Sequence, residues 1–163
     1  MAERANSVMA ARNILTVEAG VQVPVRLPNS NYTETIGLIP TPPSNRDLRG
    51  LEEARDFAAL SCARMQVGVW CNGYGSWNKD RTHPKLAKYG YPTHANLHAE
   101  LCLSIRLGYL GLEGRTVYVA RVLRDGSWAL ARPCSVCAEV LAECGVKRIV
   151  WTVEPGVMGE VRL

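Results

Sequence analysis

An α/β sandwich, a mixed sheet of about five strands covered by helices, is the fold class this sequence predicts. Three observations predict it. Between residues 47 and 163, segments with helical spacing of apolar residues alternate with short Val-, Ile- and Trp-containing runs. Helices that alternate with strands must cover the faces of a sheet. Asn72-Gly73 separates two such runs, the chemistry of a tight hairpin. Only eleven residues follow Thr152. A parallel return needs a crossover of about a dozen residues or more, so a last strand must return antiparallel through Glu154-Pro155-Gly156.

Residues 1–47 read as an N-terminal extension, partly irregular, and 48–163 as the main domain. In the extension, Val21 to Val25 alternates weakly and contains Pro24, which suits a short edge strand. Asn29-Ser30-Asn31 and Thr41 to Asn45 are turn chemistry. Leu48, Leu51, Ala54, Phe57, Ala58 and Cys62 lie near helical spacing, predicting an amphipathic helix over 47–61. Strands follow at 64–71 and 74–78, joined by Asn72-Gly73. Residues 79–95 form a long polar loop with Pro84, Gly90 and Pro92, a length that usually serves a function. A helix over 97–110 carries Leu101 and Ile105 on one side, with Leu112 continuing it and Gly111 and Gly114 as its stop. Thr116 to Val122 is a strand, Asp125-Gly126 a turn, 135–144 a helix stopped by Gly145, and 148–153 and 157–163 the last strands. Trp70 and Trp151 are expected in the core. Trp128 has two readings, cavity lining or packing.

The chain has 163 residues, 47% hydrophobic and 21% charged, with a net charge of +4. That suits one domain with a substantial core. The charge is compatible with an anionic partner but too small to argue nucleic-acid binding alone. No apolar run is long enough to span a bilayer, and the N-terminus lacks the apolar region of a signal peptide. The expected location is therefore cytoplasmic, with no membrane partner. Of six cysteines, Cys62, Cys71, Cys102 and Cys144 show no regular spacing. They read as small buried apolar residues in a reducing compartment.

The remaining two belong to the pattern that carries chemistry. His98-Ala99-Glu100 opens one predicted helix, and Pro133-Cys134-Ser135-Val136-Cys137 opens another. His98 and Glu100 both reach a ligand placed over a helix start. Cys134 and Cys137, three apart, share a helix face at an N-terminus, where backbone N–H groups and the helix dipole favour thiolate. One nitrogen and two sulfurs make a three-ligand zinc site, with a fourth position open to water whose proton the metal makes easier to lose. Glu100 is then the proton shuttle, acting as base and then as acid in sequential transfers. A purely structural zinc site would need a fourth protein ligand, such as His94 or Cys144.

At these residues the chain resembles the cytidine deaminase-like superfamily, over roughly residues 48–153. The segment Asn78 to Pro84, followed by His98-Ala99-Glu100, is similar to small deaminase-like proteins of bacteriophages. The resemblance implies the three-layer α/β/α form of the sandwich, a zinc ion on His98, Cys134 and Cys137, and Glu100 as the catalytic proton carrier. It implies substrate contacts at Asn78, Ala99, Pro133 and Cys134, with Asn72 a nearby alternative to Asn78. It also implies a homo-oligomer in the cytoplasm of a bacterium or phage-infected cell. An antiparallel last strand resembles the nucleoside deaminase and toxin-type branches. The free-nucleoside enzymes usually carry Asn-x-Glu on the substrate strand. Here Trp77-Asn78-Lys79-Asp80 has no glutamate at that spacing, which argues against recognising a ribose hydroxyl by that route.

The expected activity is hydrolytic deamination of a cytosine nucleoside or nucleotide, a small-molecule substrate. One alternative is deamination of a base in single-stranded DNA or RNA, and another is a non-catalytic zinc-bearing binding subunit. Lys79, Arg81, His83, Lys85 and Lys88 give loop 79–95 two readings, a phosphate-binding rim or a solvated surface. Tyr89 and Tyr91 either stack a base or pack the loop. His83 and His94 are read as structural or surface residues.

Overall fold

Ser44 starts the first helix, α1 (Asn45–Ala58), by accepting from the backbone N–H of Asp47 at 3.1 Å while its hydroxyl donates to the Asp47 carboxylate at 2.7 Å. The first of these bonds satisfies a backbone donor that a helix start otherwise leaves unpaired. The computed structural model describes residues 14–17, 21–24, 35–38, 43–81, 83 and 96–163. The other helices are α2 (Ala99–Leu112) and α3 (Ser135–Glu143). The strands are β1 (Ile14–Val17), β2 (Val21–Pro24), β3 (Thr35–Leu38), β4 (Gln66–Cys71), β5 (Tyr74–Trp77), β6 (Thr116–Val122), β7 (Trp128–Ala129), β8 (Arg148–Glu154) and β9 (Val157–Arg162).

The main sheet runs β3-β9-β8-β6-β4-β5, with the two-residue β7 on β6. The β6–β8 pair is parallel and all other pairs are antiparallel, so the sheet is mixed. The five strands expected from sequence form its body. β8 and β9 make the expected antiparallel hairpin, with a register irregularity near Glu154. β3 adds an edge strand on β9. The weakly alternating Val21 segment is a strand, paired with β1 in a separate two-stranded sheet. Asn72 and Gly73, with φ of 48° and 86°, turn β4 into β5, as a hairpin turn with two positive φ values demands.

Strand alternation sends the side chains to two faces. Tyr118, Ala120, Val150 and Met158 meet Leu51 and Ala54 of α1 on one face. Val69, Val119, Ile149 and Trp151 meet Leu101 and Leu103 of α2 and Val140 and Leu141 of α3 on the other. The molecule is thus a three-layer α/β/α sandwich. The α1 layer sits close because Gly68 has no side chain: a Cβ there would lie 2.2 Å from Ala54 O and Ala58 N. Trp151 is core as expected, and Trp70 and Trp128 both pack against the α1-side cluster.

Two expectations need correction. Cys62 is exposed and Cys102 half-buried, whereas Cys71 and Cys144 are buried. The helix ends at Ala58, so Cys62 falls in the turn beyond it and off the apolar face. Burial pushes the Cys71 thiol up to about 11 and the Cys144 thiol up to about 12. The second difference lies within α2. Gly108 has φ 60° and ψ −167° and kinks the helix ahead of the expected Gly111–Gly114 stop. That conformation is open essentially to glycine alone. No described helix is long and apolar enough to cross a membrane.

Asp47 ties α1 to the face of the sheet that it covers. Buried at 4% exposure, its carboxylate accepts from Arg148 at 2.8 and 3.2 Å and from the Tyr118 hydroxyl at 3.2 Å. Arg148 also pairs with Glu160. Burial pushes the Asp47 carboxyl up, but Arg148, Ser44 and Tyr118 together hold it below its ordinary 3.8. Asp47→Asn is expected to cost about 2–4 kcal/mol of stability, read as a lower urea midpoint, because it breaks a largely buried ion pair. A lowered folded-state pKa gives stability that is complete above pH 3.8 and is lost as pH falls through the folded value. The parent should therefore lose this contribution only in acid, and the variant should show a shallower acid limb. Identical acid limbs would place the sensitivity elsewhere.

Candidate metal centre

His98 and Cys134 are the residues immediately before α2 and α3. Each has an extended backbone (φ −65°, ψ 149° and φ −68°, ψ 164°), while its carbonyl accepts the first helical bond, from Cys102 and Ala138 respectively. That combination throws both side chains over the helix ends. Neither makes a capping bond to its own helix, so both are turned toward each other. Cys137, three residues into the same turn as Cys134, is fully buried beside them. The His98 Nδ1 lies 3.3 Å from Cys137 Sγ and 3.6 Å from Cys134 Sγ. All three ligand atoms lie within 4.8 Å of one another.

These separations fit a metal. Zinc–sulfur and zinc–nitrogen bonds of about 2.3 and 2.05 Å at a tetrahedral angle put N and S roughly 3.6 Å apart. One imidazole and two thiolates suit zinc by softness. This His/Cys/Cys group can hold a metal ion, and among the described residues no fourth ligand joins it. Cys144 lies outside the group, and His94 lies outside the described residues.

The electrostatics agree. Donation from Cys137, then the neighbouring His98, pulls the Cys134 thiol down to about 3. The bond to Cys134 raises His98, and the same pairing with Cys134, together with burial, raises Cys137. The paired sulfurs thus favour a thiolate at Cys134 and a thiol at Cys137. A metal would displace the remaining protons.

Three contacts fix this geometry. Leu97 pairs with Lys79 through two backbone bonds (2.9 and 3.0 Å), anchoring the residue before His98 to the end of β5. The Ser76 hydroxyl donates to Ala99 O at 2.7 Å. On the other side, the Thr152 hydroxyl donates to Ala129 O and accepts from Arg121 N, and Ala131 N donates to Thr152 O. That stitches the segment leading to Cys134 onto β8. Sequence reading missed the roles of Ser76 and Thr152, since each acts through a partner distant in the sequence.

A cavity of about 630 Å³ opens over the cluster, within the usual range for small-molecule sites. His98, Ala99, Glu100, Cys134 and Asn78 all line it. Glu100 is almost fully buried, and burial pushes its carboxyl above the ordinary carboxylate range. Asn78 accepts from Val67 N at 2.9 Å and donates to Met65 O, which leaves one amide hydrogen and one lone pair. Asn72 instead occupies the β4–β5 turn. Pro133 is not among the lining residues, although Arg132 and Cys134 on either side of it are. Lys79, Arg81 and His83 line a different cleft, beside Trp77 and Cys102. Lys85, Lys88, Tyr89 and Tyr91 lie outside the described residues. Arg64 and Arg121 also line the main cavity, and no sequence signal pointed to them.

No protein-family model, curated protein or solved structure matches this chain.

Proposed function

We propose that this chain is a zinc-dependent hydrolytic deaminase of the cytidine deaminase-like superfamily, acting on the cytosine of a nucleoside or nucleotide. One observation carries the reading: three soft or borderline ligand atoms converge at two helix starts, and a buried carboxyl, Glu100, opens onto the same cavity. A three-ligand set suits catalysis better than structure, because a structural zinc is normally closed by a fourth protein ligand. His98, Cys134 and Cys137 would hold the ion. Zinc bound there supplies a water that is readily deprotonated near neutral pH.

Glu100 takes that proton and delivers it to the ring nitrogen beside the attacked carbon. The hydroxyl oxygen bonds to that carbon, and Glu100 then carries the proton remaining on this oxygen to the amino group, so that the carbon–nitrogen bond breaks and ammonia leaves. Cytosine and water thus become uracil and ammonia. Its raised pKa suits a group that must both hold and release a proton. Ala99 and Cys134 offer backbone against the base, and the unspent amide hydrogen of Asn78 suits a sugar hydroxyl. The apolar side chains of Met65, Val67 and Leu130 on the cavity wall suit the faces of a planar ring.

The test is ammonia release by the zinc-loaded protein across nucleosides, nucleotides, free bases and single-stranded oligonucleotides. Release from a cytosine nucleoside or nucleotide is the expected result. Full zinc occupancy with no ammonia from any substrate would favour a non-catalytic zinc-bearing subunit.

A further inference from the structure

We propose that the cavity binds a nucleotide in preference to a nucleoside, with the phosphate held by Arg64 and Arg121. The inference rests on the deaminase reading for the base and on the arginines for the phosphate. The main cavity adjoins a second cleft of about 300 Å³, and the two share a wall made of Ala63, Arg64, Met65 and Arg121. Arg132 adds to the lining of the first and Arg124 to that of the second. Arg64, Arg121 and Arg124 therefore border adjoining spaces where, among the described lining residues, the one acid is the buried Glu100. Arginines that outnumber the acids lining these spaces create a local positive potential that favours an anion.

The partner count points the same way. Among the described residues, neither Arg64 nor Arg121 has a side-chain hydrogen bond or ion pair, and the Arg121 Nε is buried with none. A buried donor without a partner is costly, and a phosphate oxygen in the cavity would meet the guanidinium where no described protein group does. The Arg121 backbone is already fixed by the Thr152 hydroxyl, so its side chain projects from a rigid base. The planar fork of arginine matches phosphate in two parallel bonds. The site lies on the β6 and pre-β4 side of the cavity, whereas the described basic residues of the 79–95 segment line another cleft. The guanidiniums gather at two adjoining spaces of small-molecule size, and the whole chain carries only +4. Both facts favour a free mononucleotide over a polynucleotide.

The experiment is calorimetric binding to the zinc-loaded full chain carrying Glu100→Gln, which prevents turnover. The probes are cytidine, adenosine and guanosine, their 5′-monophosphates, and a short single-stranded oligodeoxycytidine. At least one monophosphate should bind about 10- to 100-fold more tightly than its nucleoside, the worth of about one full charge-assisted contact, because Arg64 is exposed and its share is screened. Arg64→Gln and Arg121→Gln should each remove most of that difference and leave nucleoside affinity alone, and Arg121→Lys should restore part of it. Arg64 is exposed, so its variant keeps the test interpretable if Arg121→Gln loses zinc or folds poorly. Equal affinity of nucleosides and monophosphates, or a difference untouched by both arginine variants, overturns the proposal. So does an oligonucleotide that outcompetes every monophosphate. Ammonia release by the parent protein is scored separately: a phosphate preference without ammonia release refutes the deaminase reading and leaves the arginine site standing.

Discussion

Glu100→Gln is expected to keep its zinc and its fold and to lose ammonia release by about 10²- to 10⁴-fold. Glutamine has the same shape and still hydrogen-bonds, but it cannot carry a proton between water, ring nitrogen and leaving group. The position favours a clean result. Glu100 is 4% exposed in the first turn of α2, and its backbone carbonyl accepts from the Ser104 hydroxyl at 3.0 Å. The substitution leaves that backbone contact intact. A neutral amide also removes the cost of burying a carboxylate, so the melting temperature should hold or rise. Ammonia release, zinc content and melting temperature separate the outcomes. Turnover at the parent rate would mean another group carries the proton. Lost zinc together with lost fold would make Glu100 a structural residue.

The features that sequence could reveal are those encoded locally. Thr116 to Val122 declares a strand by its β-branched alternation and is one. Asn72-Gly73 declares a turn through its tolerance of positive φ. The His98, Cys134 and Cys137 group was legible because His98 and Cys134 each open a helix, and a helix start fixes the direction of its own side chains. Arg64 and Arg121 were not legible. They lie 57 residues apart on separate elements, and only the β4–β6 pairing brings the wall they share together. The same holds for Asp47, Tyr118, Arg148 and Glu160, whose network spans α1, β6, β8 and β9. β3 escaped notice because its pairing with β9 is a tertiary fact, unrelated to any pattern near Thr35. Cys62 was misplaced because apolar spacing continued past the point at which the helix stops.

Cys137→Ser is expected to lose the bound zinc and about 4 kcal/mol of stability measured with zinc present. That figure is what a ligand at roughly a thousand times its dissociation constant contributes. For a chain of this size it corresponds to a melting temperature lower by roughly 8–16 °C. Cys137 is chosen because it belongs to both the metal group and the core between α2, α3 and the sheet. Serine nearly preserves its volume, so the loss reports on the metal more than on packing. Chelating zinc from the parent should reproduce most of the shift. Cys137 sits in a core that also buries Leu101, Leu103, Val140 and Leu141, so the stripped protein should stay folded, at a lower melting temperature. Acid should act in the same direction as chelation, because protons compete with the metal for His98 and both sulfurs. If Cys137→Ser binds zinc as fully as the parent, or if chelation leaves the melting temperature unmoved, the metal does not sit on this cluster.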